Sequence, residues 1–246
     1  MIDLHTHILP GFDDGAQSWP EARQMLEIAE REGIRLLFAT PHFIETVSEP
    51  KPEEIAAGVA ALNRYAQLKG LAIRVLPGLE AALSPALPEL VAAGRLLAQN
   101  REDRLLLVEL PALELPPYTD QVLFQLQLAG VTPVLAHPER NRRLLAEPWW
   151  LEDAVSRGVK VQITADSLFG RFGRQVQKAS ERMLAEGLVH GLGSDAHSPR
   201  HRSPRLREAA LRLIKLLGKE RARAIVRAEA MAPFRWPEPI TASEAS

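Results

Sequence analysis

Three observations predict an α/β fold built from seven βα-like units. Short apolar runs alternate along the chain with longer segments of helical periodicity. Leu105-Leu106-Leu107-Val108 is apolar at consecutive positions, as expected of a parallel strand covered on both faces. Metal-capable side chains follow nearly every run. That favours a barrel over an open doubly wound sheet, because a barrel gathers its strand ends at one mouth, whereas an open sheet offers a crevice between two strands.

Ile2 to Leu4 reads as the first strand. Ser18-Trp19-Pro20-Glu21 reads as a helix start, with Ser18 as cap and Glu21 at the capping-box position. Met25, Leu26, Ile28 and Ala29 form its apolar stripe, and Gly33 ends it. Leu36 to Ala39 is the second strand, stopped by Pro41 with His42 beside its end. A helix over Pro52 to Leu68 leads to the strand Ala72 to Leu76, then Pro77-Gly78 and Glu80. Pro85 to Ala93 is a short helix. Leu105 to Val108 is a strand ending at Glu109, and Thr119 to Leu128 is helical. Val131 to Ala136 is a strand closed by His137-Pro138. The helix Pro148 to Arg157, the strand Val159 to Ile163 and the helix Arg174 to Ala185 follow. Leu188 to Leu192 is the last strand, with Gly193-Ser194-Asp195 at its exit. Ser203 to Leu217 and Lys219 to Ala230 are helices. The expectation is one domain over residues 1–232, with Pro233 to Ser246 as a strap or frayed tail.

Composition narrows the function. The 246 residues suffice for one large domain, and 46% hydrophobic content fits a folded protein. With 30 basic and 31 acidic residues, a general nucleic-acid surface is not expected, since it needs clustered Lys and Arg. No Cys is present, which excludes disulfides, a thiol nucleophile and zinc-thiolate sites. No apolar run is long enough to span a bilayer. Met1-Ile2-Asp3 lacks the basic start of a signal peptide, so the expected location is cytoplasmic, without membrane insertion.

The candidate ligands are His5, His7, His42, Glu80, Glu109, His137, Asp195 and His197, joined by Asp14. In an extended segment, residues two apart share a face, so His5 and His7 can bind one ion. One such pair is equally compatible with hydrogen-bonded surface histidines. The spacing recurs in Asp195-Ala196-His197, and five of the seven histidines sit at strand exits. Glu80 in a His-rich mouth can bridge two cations, which would offset the cost of burying its charge. In Phe12-Asp13-Asp14-Gly15, one carboxylate, Asp14 by preference, serves an additional ion, although both acids also suit a turn. His190 lies within a strand and reads as structural; the role of His201 is open.

These motifs resemble the polymerase-and-histidinol-phosphatase, or PHP, family of metal-dependent phosphoesterases, and in particular its bacterial protein-tyrosine-phosphatase branch. The resemblance rests on Asp3 to Gly15, Ala39-Thr40-Pro41-His42, Pro77-Gly78-Leu79-Glu80, Ala136 to Asn141 and Ser194 to His197. It implies a distorted seven-stranded TIM-like barrel with a trinuclear site. His5, His7, Glu80 and Asp195 would hold one metal; Glu80, Glu109 and His137 a second; Asp14, His42 and His197 a third. Manganese is the implied ion, with Fe, Zn, Co or Mg compatible with the donor set. The implied partner is a phosphotyrosine protein, a bacterial tyrosine kinase controlling exopolysaccharide synthesis.

The chemistry expected of such a site is hydrolysis by a hydroxide held between two metals, without a covalent enzyme intermediate. Arg140 and Arg202 are the candidate phosphate clamps, because a planar guanidinium matches phosphate oxygens. Arg140 can instead pair with Glu139 or Glu147 at the surface, and Arg200 and Arg205 compete with Arg202. Phe12, Phe43 and Phe169 either form an aromatic wall for the substrate ring or pack loops on the scaffold. Arg140-Asn141-Arg142-Arg143 supplies local positive charge. The alternative activity is small-molecule phosphate hydrolysis, such as that of a histidinol-phosphate phosphatase.

Overall fold

The computed structural model describes residues 1–96 and 104–231; the expected tail, Pro233 to Ser246, lies outside the described residues. The strands are β1 (Ile2–Thr6), β2 (Leu36–Ala39), β3 (His42–Phe43), β4 (Arg74–Pro77), β5 (Glu80–Ala82), β6 (Leu105–Glu109), β7 (Thr132–Ala136), β8 (Lys160–Thr164) and β9 (Gly191–Gly193). The helices are α1 (Trp19–Arg31), α2 (Pro52–Lys69), α3 (Leu87–Ala92), α4 (Thr119–Leu128), α5 (Arg142–Ala146), α6 (Trp149–Ser156), α7 (Arg174–Ala185), α8 (Arg207–Leu217) and α9 (Lys219–Val226). None of the described helices is long and apolar enough to cross a membrane.

All paired strands run parallel, in two sheets ordered β1-β2-β4 and β3-β5-β6-β7-β8-β9. Each of the seven expected strands has a counterpart, but two are split. Thr40-Pro41 separates β2 from β3, and Gly78-Leu79 separates β4 from β5. Pro41 has no N–H to give a ladder, so pairing stops and restarts on the other sheet. Gly78 N donates to Ala39 O at 3.0 Å and Glu80 N to Pro41 O at 3.1 Å, carrying the contact across the breaks. A parallel bridge between Thr6 and Ala196 links the end of β1 to the segment after β9.

Alternation along the strands sorts the core into two layers. Leu105 and Leu107 join Ile2, Leu4, Leu36, Phe38, Val134 and Ala136 in one buried cluster. Leu106 and Val108 face the other way, into a larger cluster with the helices: Met25, Leu26, Leu62, Leu126 and Met183 among others. The central strands are thus covered by apolar side chains on both faces.

Local chemistry explains the element ends. Ser18 caps α1 by accepting from Glu21 N, and Glu21 reaches back to Gln17 N at 3.0 Å, one residue earlier than a capping box requires. The last strand begins three residues later than its apolar run suggests. Leu188 and Val189 are buried, but Leu188 N closes the turn after α7 by donating to Met183 O, so the ladder starts at Gly191. His190 lies just before β9; its Nδ1 accepts from Val161 N at 3.2 Å. Burial, with Lys160 nearby, lowers its pKa to about 4, in keeping with a structural role. The short α5 and two 3-10 turns, Pro138–Arg140 and Ala165–Phe169, have no counterpart in the expected elements.

Gly193 ends β9 where no side chain fits. A Cβ there would stand 2.5 Å from Gln162 Nε2 and 2.6 Å from His5 Cβ. Gly193→Ala should therefore destabilise the fold by roughly 1–3 kcal/mol, the usual cost of overpacking, and should displace His5. Thermal unfolding and metal stoichiometry check this; an unchanged melting temperature with unchanged metal content would refute it.

Candidate metal centre

All nine expected ligands meet at one end of the strands, around Glu80. Its Oε2 lies 3.0 Å from His5 Nε2, 3.3 Å from His7 Nε2 and 3.1 Å from His42 Nδ1, and its Oε1 lies 3.0 Å from His137 Nε2. Asp195 Oδ1 stands 3.6 Å from both His5 Nε2 and His7 Nε2. Glu109 Oε1 is 3.7 Å from His137 Nε2. Asp14 Oδ1 lies 3.7 Å from His42 Nε2 and 3.4 Å from His197 Nε2. Three overlapping groups place one donor atom per residue within 4.8 Å of the others: His7, Asp14, His42 and His197; His5, His7 and Glu80; and His42, Glu80 and Glu109.

The scaffold explains this convergence. The β1 strand delivers His5 and His7, which are fully buried. The breaks after β2 and β4 set His42 directly opposite Glu80 in the β3–β5 register. His137 and Asp195 follow β7 and β9 in left-handed backbone, with φ of 33° and 52°. Non-glycine residues adopt that conformation at a cost of about 1–3 kcal/mol, and it turns both side chains back over the strand ends.

Partners outside the expected set fix the rings. Asp13 Oδ2 accepts from His7 Nδ1 at 2.7 Å and from His42 N at 2.9 Å. Gln162 Oε1 accepts from His5 Nδ1 at 3.1 Å, and its Nε2 donates to Ile163 O. The backbone oxygen of Asp195 accepts from His197 Nδ1 at 3.0 Å. In each case Nδ1 is held by an acceptor outside the cluster and Nε2 faces into it, the orientation in which an imidazole that gives up its Nε2 proton can take a cation. Of the two loop acids, Asp14 presents its carboxylate to the cluster while 71% exposed, and Asp13 orients.

The donor set fits divalent cations. It offers imidazoles and carboxylates and no thiolate. His42 Nδ1 is buried without a hydrogen bond although it lies 3.1 Å from Glu80. Two imidazole nitrogens, His5 Nε2 and His7 Nε2, approach to 3.0 Å.

The charges in the metal-free cluster show what a cation must displace. Burial disfavours a charged His7, but the hydrogen bond to Asp13 and the Glu80 carboxylate outweigh it and raise its pKa to about 10. For His5, burial is likewise overcome by Glu80 and Asp195, and its pKa is raised. Burial would raise Asp13, yet His7 brings it down to about 2. Burial opposes charge on Glu80 and Asp195 as well, but the neighbouring cations hold both well below the usual carboxylate range. His197 goes the other way: burial, His7 and Arg202 lower it to about 4.

Arg140 and Arg202 both reach this mouth. Arg140 pairs with Asp195 Oδ2, donates to Thr164 Oγ1 at 2.5 Å, and lies 4.2 Å from the centre of the Phe172 ring. Neither surface partner takes it. Glu147 pairs with Arg143 at 2.7 Å, and buried Glu139 accepts from Thr164 N and Ser167 Oγ. Arg202 lies 2.5 Å from Asp195 Oδ2. Arg200 and Arg205 are exposed, the former 3.9 Å from Glu21, and His201 is exposed. Of the two readings of the phenylalanines, packing holds: Phe43 is buried, and Phe12 and Phe169 are partly buried against the core. Phe172 brings an aromatic ring to the mouth, over Arg140.

A family model described as "Capsular polysaccharide synthesis, CpsB/CapC" matches residues 1–235. The tyrosine-protein phosphatase YwqE of Bacillus subtilis is 37% identical over 220 residues, covering 89% of this chain and 86% of that protein. A chain from the crystal structures of YwqE and of CpsB from Streptococcus pneumoniae, metal-dependent tyrosine phosphatases, superposes with a TM-score of 0.88 at 36% identity, covering 94% of each chain. A histidinol phosphate phosphatase from Lactococcus lactis gives a TM-score of 0.55 at 14% identity, covering 87% of this chain and 92% of that one; that likeness is one of fold.

At pH 7 a His7 with a pKa of about 10 is protonated, and a cation must displace that proton. His197, lowered to about 4, has none to lose at that pH. Manganese loading should therefore release at least one proton per chain, and affinity should rise with pH through neutrality towards about 10. Calorimetric titration in buffers of different ionisation enthalpy measures both. An affinity independent of pH between about 6 and 9 would contradict the proton-held cluster.

Proposed function

The chain belongs to the CpsB/CapC family of capsular polysaccharide synthesis, and from that premise we propose that it is a metal-dependent protein-tyrosine phosphatase. Its substrate is a phosphotyrosine protein of the exopolysaccharide machinery, a bacterial tyrosine kinase as the resemblance to the family implies. The observation that carries the reading is the pairing of a seven-residue donor cluster, flanked by His137 and Asp195, with two arginines at one mouth.

In this reading His5, His7, Glu80 and Asp195 hold one ion, Glu80, Glu109 and His137 a second, and Asp14, His42 and His197 a third, manganese being the resident metal. The support is the central placement of Glu80, within 3.3 Å of four imidazoles. Bound ions supply Lewis acidity and water activation at neutral pH. The protein supplies the rest. Arg140 and Arg202, both paired with Asp195 Oδ2 at the mouth, would bind the phosphoryl oxygens. Phe172 keeps the Arg140 fork flat against its ring, which restricts the directions in which it can donate. Thr164 anchors the same group. With no cysteine in the chain, a phosphocysteine intermediate is excluded, and activated water is the nucleophile of this reading. The departing phenolate, with a pKa of ~10, needs less protonation than an alkoxide. The same reading takes the two parallel sheets as parts of one distorted seven-position barrel, supported by the Thr6–Ala196 bridge.

Turnover of a phosphotyrosine peptide, a phosphoserine peptide and histidinol phosphate by the manganese-loaded protein tests the assignment. The phosphotyrosine peptide should have the highest kcat/KM. A preference for histidinol phosphate would replace the proposal with a small-molecule phosphatase.

Arg140 cannot bind a cation, so Arg140→Ala should keep most of the metal and lose transition-state binding to phosphate. The expected drop in kcat/KM is about 10²–10³-fold, the scale of losing one oxyanion donor. Arg140→Lys should recover part of it, since charge returns without the planar fork. Unchanged kinetics in the Ala variant, at full metal content, would remove Arg140 from the mechanism.

A further inference from the structure

Next to the mouth, α5 and α7 enclose a groove of about 470 Å³. Its lining has a helical period on both walls. Gln175, Lys178, Ala179 and Arg182 share one face of α7 at i, i+3, i+4 and i+7, and Arg142, Leu145 and Ala146 share one face of α5. The floor is apolar, from Leu145, Ala146 and Ala179. The rim is cationic, from Arg142, Lys178 and Arg182.

Two of these three charges have no carboxylate partner among the described residues, and the third has a loose one. Among the described residues no carboxylate pairs with the exposed side chains of Arg142 or Lys178. Arg182 has Glu186 at 3.7 Å, and its Nε is buried without a hydrogen bond. Glu181, the acid within α7 itself, turns away and pairs with Arg212 at 2.7 Å. Both helices begin beside the phosphate clamp. The α5 helix starts two residues after Arg140, and α7 starts two residues after Phe172, whose ring covers Arg140.

We propose that this groove binds the acidic chain segment flanking the phosphotyrosine of a protein substrate. The inference rests on the phosphatase reading above and adds to it where substrate selectivity lies. From Gln175 to Arg182, α7 rises roughly 10 Å, the length of about three extended residues. An extended segment leaving the mouth thus passes under three cations and sets one apolar side chain on the floor. The contacts are solvent-exposed, so they act mainly on encounter and are screened by salt.

The test uses manganese-loaded protein and two phosphotyrosine peptides of equal length, one with acidic and one with neutral flanks. The wild type should favour the acidic peptide by roughly tenfold in kcat/KM at low salt, through KM, and less at high salt. The Arg142→Glu/Lys178→Glu double variant should abolish or invert that ratio, and Arg142→Gln/Lys178→Gln should reduce it. The ratio cancels any loss common to both substrates, such as partial misfolding. A ratio near one in the wild type, or one unchanged in the double variant, overturns the groove. Fluorescence anisotropy with the unphosphorylated acidic peptide separates this from the activity itself. If no phosphotyrosine substrate turns over, the phosphatase reading falls, and salt-sensitive peptide binding that the double variant loses still supports the groove. A single-stranded oligonucleotide of equal charge that binds more tightly than the peptide would assign the surface to nucleic acid and overturn the proposal.

Discussion

Glu80 is a carboxylate buried to 1% exposure with four imidazoles within 3.3 Å. Removing such a charge from water costs several kcal/mol unless opposite charge accompanies it. Protons on His5 and His7 answer that charge: Glu80, Asp13 and Asp195 favour them strongly enough to overcome burial, which opposes a charged imidazole. The surrounding architecture serves this requirement. Asp13 and Gln162 hold the Nδ1 sides, so the rings cannot turn their free nitrogens away from Glu80. The dry layers on both faces of the strands keep the backbone from relaxing around the buried charge. Divalent cations would offset the same buried charge.

Asp195 illustrates the same balance from the outer side. Its Oδ1 faces His5 and His7, and its Oδ2 faces Arg140 and Arg202. One carboxylate thus stands between the donor cluster and the anion-binding groups. A cation held by Asp195 would draw on the same negative charge that now pairs with the two guanidiniums.

Much of this was legible in the sequence because ligands at strand exits are tied to chain position. His5 and His7 share a face by the strand period, and His137 and Asp195 follow strands whose apolar runs are plain. Glu80 was legible for a different reason, as an acid placed after a Pro-Gly break. Orienting residues were harder to see. Asp13 and Asp14 are adjacent, and composition does not say which one faces inward; the loop path through Gly15, where a Cβ would meet His7 O at 2.2 Å, decides it. Gln162 did leave a trace, a polar residue inside the apolar run Val161-Gln162-Ile163, and a fully buried amide there must satisfy its hydrogen bonds. Phe172 had no such mark, since its position over Arg140 depends on the tertiary approach of α7. The late start of β9 escaped because buried Leu188 and Val189 carry strand-like hydrophobicity while serving a turn.

The broken second and third strand positions have a consequence for how this protein tolerates change in length. His42 and Glu80 face each other only because both breaks, at Thr40-Pro41 and at Gly78-Leu79, consume matching stretches of chain before pairing resumes in the β3–β5 register. Side chains along a strand alternate with a period of two, so one residue gained or lost in either break turns its partner to the opposite face. A substitution in these loops changes one contact. An insertion or deletion removes the central carboxylate from its imidazoles while leaving the hydrophobic layers intact. Such a chain would keep its hydrophobic layers and yet be unable to hold its ions, so spacing at two short loops sets whether this scaffold is an enzyme or an inert relative of the same fold.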